Sequence, residues 1–326
     1  MPIQINGKVL NAGEIRKEMF PLGNRIDGSV LGVPMMGIVG KKDGPTLGIV
    51  TGVHGDEYEG PEAVRTLFSL IDPEKLCGSI ICTPQANCFA AEDMNRCGWI
   101  DHQDLNRSFP GSPEGNITQR VANVLVKEII EQSDYLIDLH AGGMVLDLVP
   151  YVGFNAENNE TGKKSREMAK VFGIETLYGC TPFANVLRLE AAKRNIPTIL
   201  VEVGGEGRFR ENCMNTMVEG ILNVLRFLNM LEEPVKPLCT KHRFVRAYPE
   251  GEFANSPAGG MLRIYKPLGS DVKKGDLLCT IHDVFGNVHA KYFAPYDGYL
   301  FTWRSLPSIR VGDWMVSVVE ALDEQE

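Results

Sequence analysis

Two histidines and two glutamates stand just beyond runs that read as buried strands. His54 and Glu57 lie in Gly52-Val-His-Gly-Asp-Glu-Tyr-Glu-Gly60, directly after the apolar run Leu47–Thr51. His140 follows Tyr135–Leu139 in Asp138-Leu-His-Ala-Gly-Gly143, and Glu202 closes the run Pro197–Glu202 ahead of Val203-Gly-Gly205. Carboxyl ends of strands in an open α/β sheet form the crevice where ligands bind, so these four groups are expected to meet. Two imidazoles and one carboxylate make up the ligand set of a catalytic zinc, with one position left for water. His-x-x-Glu supplies two ligands from one tight turn, a distant histidine supplies the third, and Glu202 is left over as a general base. Singly each signal is weak: His140 alone reads as a core histidine and Glu202 alone as half of a buried ion pair. The combination carries the argument.

A second cluster is Asp104-Leu-Asn-Arg-Ser-Phe-Pro-Gly111, preceded by Arg96 and Asp101. Asn106 and Arg107 side by side offer an amide and a guanidinium fork, suited to a bidentate grip on a carboxylate. In isolation the same stretch would read as a surface loop with an ordinary salt bridge. His102, His242, His282 and His289 have no comparable setting and are expected to be structural or solvated.

The elements that must position these groups alternate along the first two thirds of the chain. Leu47–Thr51, Ser79–Thr83, Tyr135–Leu139 and Pro197–Glu202 read as strands of a sheet buried on both faces. Between and after them, amphipathic spacing predicts helices over 61–70, 118–132 and 212–231. Strands alternating with helices predict an α/β sheet covered on both sides. The texture changes near Pro234–Pro237. From Cys239 onward there is no helical pattern, and Gly269-Ser-Asp-Val-Lys-Lys-Gly-Asp-Leu-Leu and Pro307-Ser-Ile-Arg-Val-Gly-Asp-Trp-Met read as turns at matching corners of a small β barrel or sandwich. The expected division is 1–238 for a catalytic domain and 239–326 for a β domain.

Composition bounds the rest. Of 326 residues, 44% are hydrophobic and 23% charged, which excludes disorder, collagen and coiled coil as descriptions of the whole chain. With 33 Lys+Arg against 42 Asp+Glu the net charge is −9, which argues against nucleic acid and anionic membrane as partners. Eight cysteines without a Cys-x-x-Cys pair read as reduced, mostly buried small hydrophobes. Charged residues from Lys8 to Glu18 fall where a signal peptide would need an apolar core, and no run is long enough for a membrane span. A cytoplasmic location is the expectation, and a homo-oligomer is compatible with it.

Taken together, Gly-x-His-Gly-Asp-Glu, Asp-Leu-Asn-Arg-Ser-Phe-Pro-Gly, Asp-Leu-His-Ala-Gly and Val-Glu-Val-Gly-Gly resemble the succinylglutamate desuccinylase/aspartoacylase family in order and spacing across about residues 45–210. The loop Arg96–Arg107 is similar to that of the bacterial N-acyl amino acid deacylase branch, which includes N-acetyl-diaminobutyrate deacetylases. The resemblance implies a zinc carboxypeptidase-like mixed sheet flanked by helices, followed by an all-β barrel-sandwich domain. It implies one Zn2+ per subunit on His54, Glu57 and His140, with Glu202 as general base and acid. It further implies Asn106 and Arg107 on the substrate carboxylate, and Arg96 polarising the scissile carbonyl. The C-terminal segment also resembles lipoyl and biotinyl carrier domains. However, Ala290-Lys291-Tyr292 lacks the setting of a modifiable lysine, so a cap or wall at the active-site mouth is the better reading.

The expected activity is hydrolysis of the amide of a small N-acyl amino acid, N-acetyl-diaminobutyrate or a related compound. A metallocarboxypeptidase acting on short peptides would use the same groups in a larger pocket. A non-catalytic binding protein of the same fold is a third reading, disfavoured because all four catalytic groups are present.

Overall fold

The structure, a computed structural model, describes residues 2–247 and 253–322. Four parallel strands make up the centre of its largest sheet, in the spatial order Cys77–Thr83, Lys42–Thr51, Tyr135–His140, Thr198–Glu202. The chain steps outward from Lys42–Thr51 to Cys77–Thr83, then returns across its starting strand to lay down Tyr135–His140. That reversal leaves a crevice at the carboxyl ends of Lys42–Thr51 and Tyr135–His140, where loops from neighbouring strands diverge. Antiparallel partners make the sheet mixed. Val30–Val39 and Ile15–Asn24 extend one side, and Tyr151–Asn155 runs against Thr198–Glu202 on the other. Beyond it lie Thr176–Cys180 and Arg243–Arg246, each parallel to its inner neighbour.

Alternation along the central strands divides the core in two. Leu47, Ile49, Ile137, Leu139, Ile199 and Val201 face the helices Glu59–Leu70, Glu160–Phe172 and Glu211–Phe227. Val50, Ile81 and Leu136 face the opposite layer, which includes the helices Ile117–Glu128 and Leu187–Ala192. Both faces are therefore apolar, which is why these strands read as continuous hydrophobic runs. No helix among the described residues is long and apolar enough to cross a membrane.

Two expected helices end early, for local reasons. The helix Ile117–Glu128 opens on a capping box between Asn116 and Gln119, then gives way to a 3-10 turn at Ile130–Gln132. There the chain must bend into Tyr135–His140, and the Asp134 amide already bonds the Thr46 carbonyl. The helix Glu211–Phe227 stops short of Leu231 at Asn229, whose φ is +56°. The Met230 amide reaches back to the Leu225 carbonyl and the Asn229 amide to that of Arg226, a Schellman closure in which asparagine takes the place usual for glycine.

Among the described residues beyond 239 there are strands and turns but no helix. They form a sandwich with a core of its own, including Leu262, Val272, Leu278, Leu300, Ile309 and Met315. The two repeated turns match as expected. The Lys273 amide bonds Asp276 Oδ2 at 3.0 Å and the Arg310 amide bonds Asp313 Oδ2 at 3.0 Å. Each aspartate is preceded by a glycine in the left-handed region, Gly275 at +89° and Gly312 at +84°. The sandwich is also joined to the large sheet. The strand Trp314–Leu322 pairs in its early part with Gly298–Arg304 and in its last residues with Arg243–Arg246. Gly298–Arg304 in turn pairs with Leu146–Leu148. Leu148, Tyr151, Tyr178 and Leu200 share a buried cluster with Val245, Tyr299, Phe301 and Val319.

Candidate active site

Sheet register sets the site. His140 and Glu202 are direct partners in adjacent parallel strands, so their side chains leave the sheet on the same side at the same height. One strand further, Thr51 pairs with Leu139, and the chain continues through the turn that carries His54 and Glu57. Gly55 in that turn lies against the backbone of Ala90, so close that a Cβ would sit 1.9 Å from the Ala90 carbonyl carbon. Asp56 closes the other flank, where its Oδ2 accepts the Met144 amide at 2.7 Å and ties the His54–Glu57 turn to the loop after His140.

His54, Glu57 and His140 converge with ligand atoms within 4.8 Å of one another, each residue almost fully buried. His54 Nδ1 lies 2.6 Å from Glu57 Oε1, and His140 Nδ1 lies 3.1 Å from Glu57 Oε2. The outer nitrogens face carboxylates: His54 Nε2 is 3.4 Å from Asp104 Oδ1, and His140 Nε2 is 3.0 Å from Asp138 Oδ1. Neither contact is aligned as a hydrogen bond, so both Nε2 atoms and both Asp138 oxygens are buried without a hydrogen-bond partner. This donor set fits a divalent metal. Inner nitrogens and a carboxylate point at one spot, and a carboxylate stands behind each imidazole to orient it.

Electrostatics bind the cluster together. Burial alone would raise the Glu57 carboxyl, yet the facing His54 and His140 rings hold it well below the usual carboxylate range. Burial likewise opposes charge on His140, but Asp138 and Glu57 raise it well above an ordinary imidazole. Asp104, partly buried, is held low by His54 and Arg96. Arg96 donates from Nε to Asp104 Oδ2 at 2.9 Å, and Asp104, with Glu57 and Glu202, keeps its guanidinium charged against the cost of burial.

The remaining expected residues line the same cavity: Arg96, Asn106, Arg107 and Glu202. Asn106 Oδ1 accepts the Leu187 amide at 3.3 Å, which couples the Asp104–Arg107 turn to the start of helix Leu187–Ala192. The Arg107 guanidinium lies 4.7 Å from the centre of the Phe183 ring at the cavity edge. Thus all seven residues singled out from sequence are brought together. His102, His242, His282 and His289 lie outside the cavity lining, and all eight cysteines are free thiols.

Sequence reasoning missed several members. Asp138 was legible in principle, because in a strand residues two apart share a face and Asp138 stands two before His140. Arg188 carried no signal. It lies on a short helix among apolar residues, donates from Nη1 to Cys180 Sγ at 3.0 Å, and adds a third guanidinium to the cavity lining. Phe253, Thr302 and Trp314 reach the cavity from the β sandwich, over sequence separations that no local pattern reveals.

With fold and site in view, the class is defined. The chain belongs to the succinylglutamate desuccinylase/aspartoacylase family, whose catalytic-domain model matches residues 43–228. It is 29% identical over 313 residues to the N-alpha-acetyl-L-2,4-diaminobutyric acid deacetylase of Halomonas elongata, covering 93% of this chain and 90% of that one. Among solved structures it is similar to the product-bound ectoine utilization protein EutE of Ruegeria pomeroyi, at 25% identity and a TM-score of 0.89, covering 98% of both chains. A succinylglutamate desuccinylase from a Silicibacter species has the same fold, with a TM-score of 0.88 at 22% identity, covering 99% of this chain and 98% of that one.

Proposed function

We propose that the protein is a zinc-dependent deacylase that hydrolyses the amide bond of a small N-acyl amino acid. The observation that carries this reading is the convergence of His54, Glu57 and His140, with Glu202 beside His140 in register. These three residues would hold the ion. When bound, zinc supplies Lewis acidity that polarises a carbonyl and acidifies water.

The chain's own groups account for the remaining steps. The Glu202 carboxylate takes a proton from the attacking water and passes it to the departing amine. Arg96, held charged by Asp104, faces the developing negative charge on the acyl oxygen. Arg107 and Asn106 grip the substrate carboxylate, and Arg188 adds positive charge to the same cavity. Asp104 and Asp138 orient the two imidazoles from behind. Residues 1–238 form the catalytic unit in this reading, and 239–326 the module that walls its mouth through Phe253, Thr302 and Trp314. Such a wall favours a small acyl amino acid over an extended peptide. The relatedness to the Halomonas elongata enzyme makes N-acetyl-diaminobutyrate the first candidate.

The test is a Glu202→Ala variant beside the parent, assayed with zinc on acetylated, succinylated and formylated amino acids and on short peptides. The variant should retain stoichiometric zinc and lose hydrolysis by several orders of magnitude. Near-parent turnover would remove Glu202 as the base, and turnover of peptides in preference to acyl amino acids would overturn the substrate class.

A further inference from the structure

Arg96 belongs to the catalytic unit, but one of the faces that confines it does not. Its guanidinium carbon lies over the Trp314 ring, 5.6 Å from its centre, and that indole is stacked on Phe253, with ring centres 5.0 Å apart and planes 16° from parallel. Both aromatic residues come from the β sandwich. Antiparallel pairing of Asn255 with Trp314 and of Ala254 with Val316 brings them side by side. The Ser256 amide bonds the Asp313 carbonyl and the Gly312 amide the Ser256 carbonyl, both at 2.8 Å, which braces the turn beneath them. Arg96 itself sits in an irregular loop between the short helix Cys88–Glu92 and the turn at Leu105–Arg107. A long side chain on such a loop has many rotamers, and its Nε bond to Asp104 fixes only one point of the fork. A flat indole against the guanidinium removes the remaining swing.

We propose that Trp314, itself stacked on Phe253, is a positioning residue that holds the Arg96 guanidinium in its working orientation, so that the β sandwich acts on catalysis through one cation–π contact. The proposal rests on the reading of Arg96 as the group facing the acyl oxygen. It assigns Trp314 no contact with the reacting atoms. The feature that matters is the π face of the side chain, beyond its bulk.

Two measurements test it, and they fail separately. In the first, Trp314→Phe should keep most of the parent kcat. Trp314→Leu, which keeps apolar volume without a ring, should lower kcat about five-fold, the scale of one exposed cation–π contact, with KM little changed. In an Arg96→Ala background, Trp314→Leu should cost nothing further, because the contact is already gone. An equal loss from Trp314→Leu in both backgrounds would mark a purely structural role and overturn the proposal. The second measurement needs no turnover. In a Trp99→Phe, Trp303→Phe chain Trp314 is the single tryptophan, and Arg96→Ala should raise its quenching by acrylamide about two-fold. Unchanged quenching would show that no clamp exists in solution. Raised quenching in a protein that hydrolyses no acyl amino acid would leave the clamp standing and remove the deacylase reading instead.

Discussion

Glu59 shows how far burial reaches around the candidate centre. It opens the helix Glu59–Leu70, is 1% exposed, and leaves Oε1 without a hydrogen-bond partner. Burial pushes its carboxyl up to about 7 from an ordinary 4.5. Between those values the folded chain holds a proton that the unfolded chain has released, so stability falls as pH rises through that window and is not regained above it. Glu59→Gln stays neutral and escapes the loss. In metal-free protein its advantage should grow from near zero at pH 4.5 to about 3 kcal/mol at pH 8. Denaturant titrations at the two pH values read it directly, and an advantage independent of pH would contradict the assignment. At this scale the sequence was a good guide to which residues meet at the centre and a poor one to their supports. His54, Glu57, His140 and Glu202 each sit in a short string with glycines and a strand before it. Arg188 and Trp314 reach the cavity through tertiary packing alone.

At the scale of elements, the distance between His140 and Glu202 is set by hydrogen-bonded register rather than by any loop. A slip of one residue in Thr198–Glu202 would turn Glu202 to the opposite face, so the ladder serves as the ruler of the site. The neighbouring helix is held just as closely. Gly60 lies against Thr51, and a Cβ there would stand 2.1 Å from Thr51 Oγ1 and 3.2 Å from Leu139 Cβ. Helix propensity by itself makes Gly→Ala favourable by about 1 kcal/mol. The clash reverses the sign, because Thr51 is a buried, branched residue in a central strand with no room to retreat. Gly60→Ala should therefore destabilise by about 1–3 kcal/mol in thermal or denaturant unfolding. A variant more stable than the parent would show that the helix can shift freely. The four central strands were legible because their runs are buried on both faces, while Ile15–Asn24, Val30–Val39, Tyr151–Asn155 and Thr176–Cys180 were not read as strands. Helix ends at Glu128 and Phe227 were not legible either, since a tertiary bend and an asparagine closure decided them.

On the scale of the whole molecule, three sheets and four buried clusters meet among the described residues. The sandwich has its own apolar centre, yet its strand Trp314–Leu322 also continues the large sheet beyond Arg243–Arg246, and its ring residues help to line the cavity. The composition change near residue 238 was visible in the sequence. The sharing of strands across it was not, because pairing between Leu146–Leu148 and Gly298–Arg304 leaves no mark on either segment alone.

That shared strand has a consequence for a severed chain. Residues 232–238 are all exposed, so they offer a protease an accessible crossing between the two parts. Cutting there would not free the C-terminal piece. It would remain attached through Arg243–Arg246 beside Thr176–Cys180, through Gly298–Arg304 beside Leu146–Leu148, and through the rings buried between them. A singly nicked protein should run as two bands under denaturing conditions and elute as one particle under native ones. Separation on native elution would refute this. The peptide bonds of that crossing supply connectivity during synthesis, while the assembled halves are held together by non-covalent attraction.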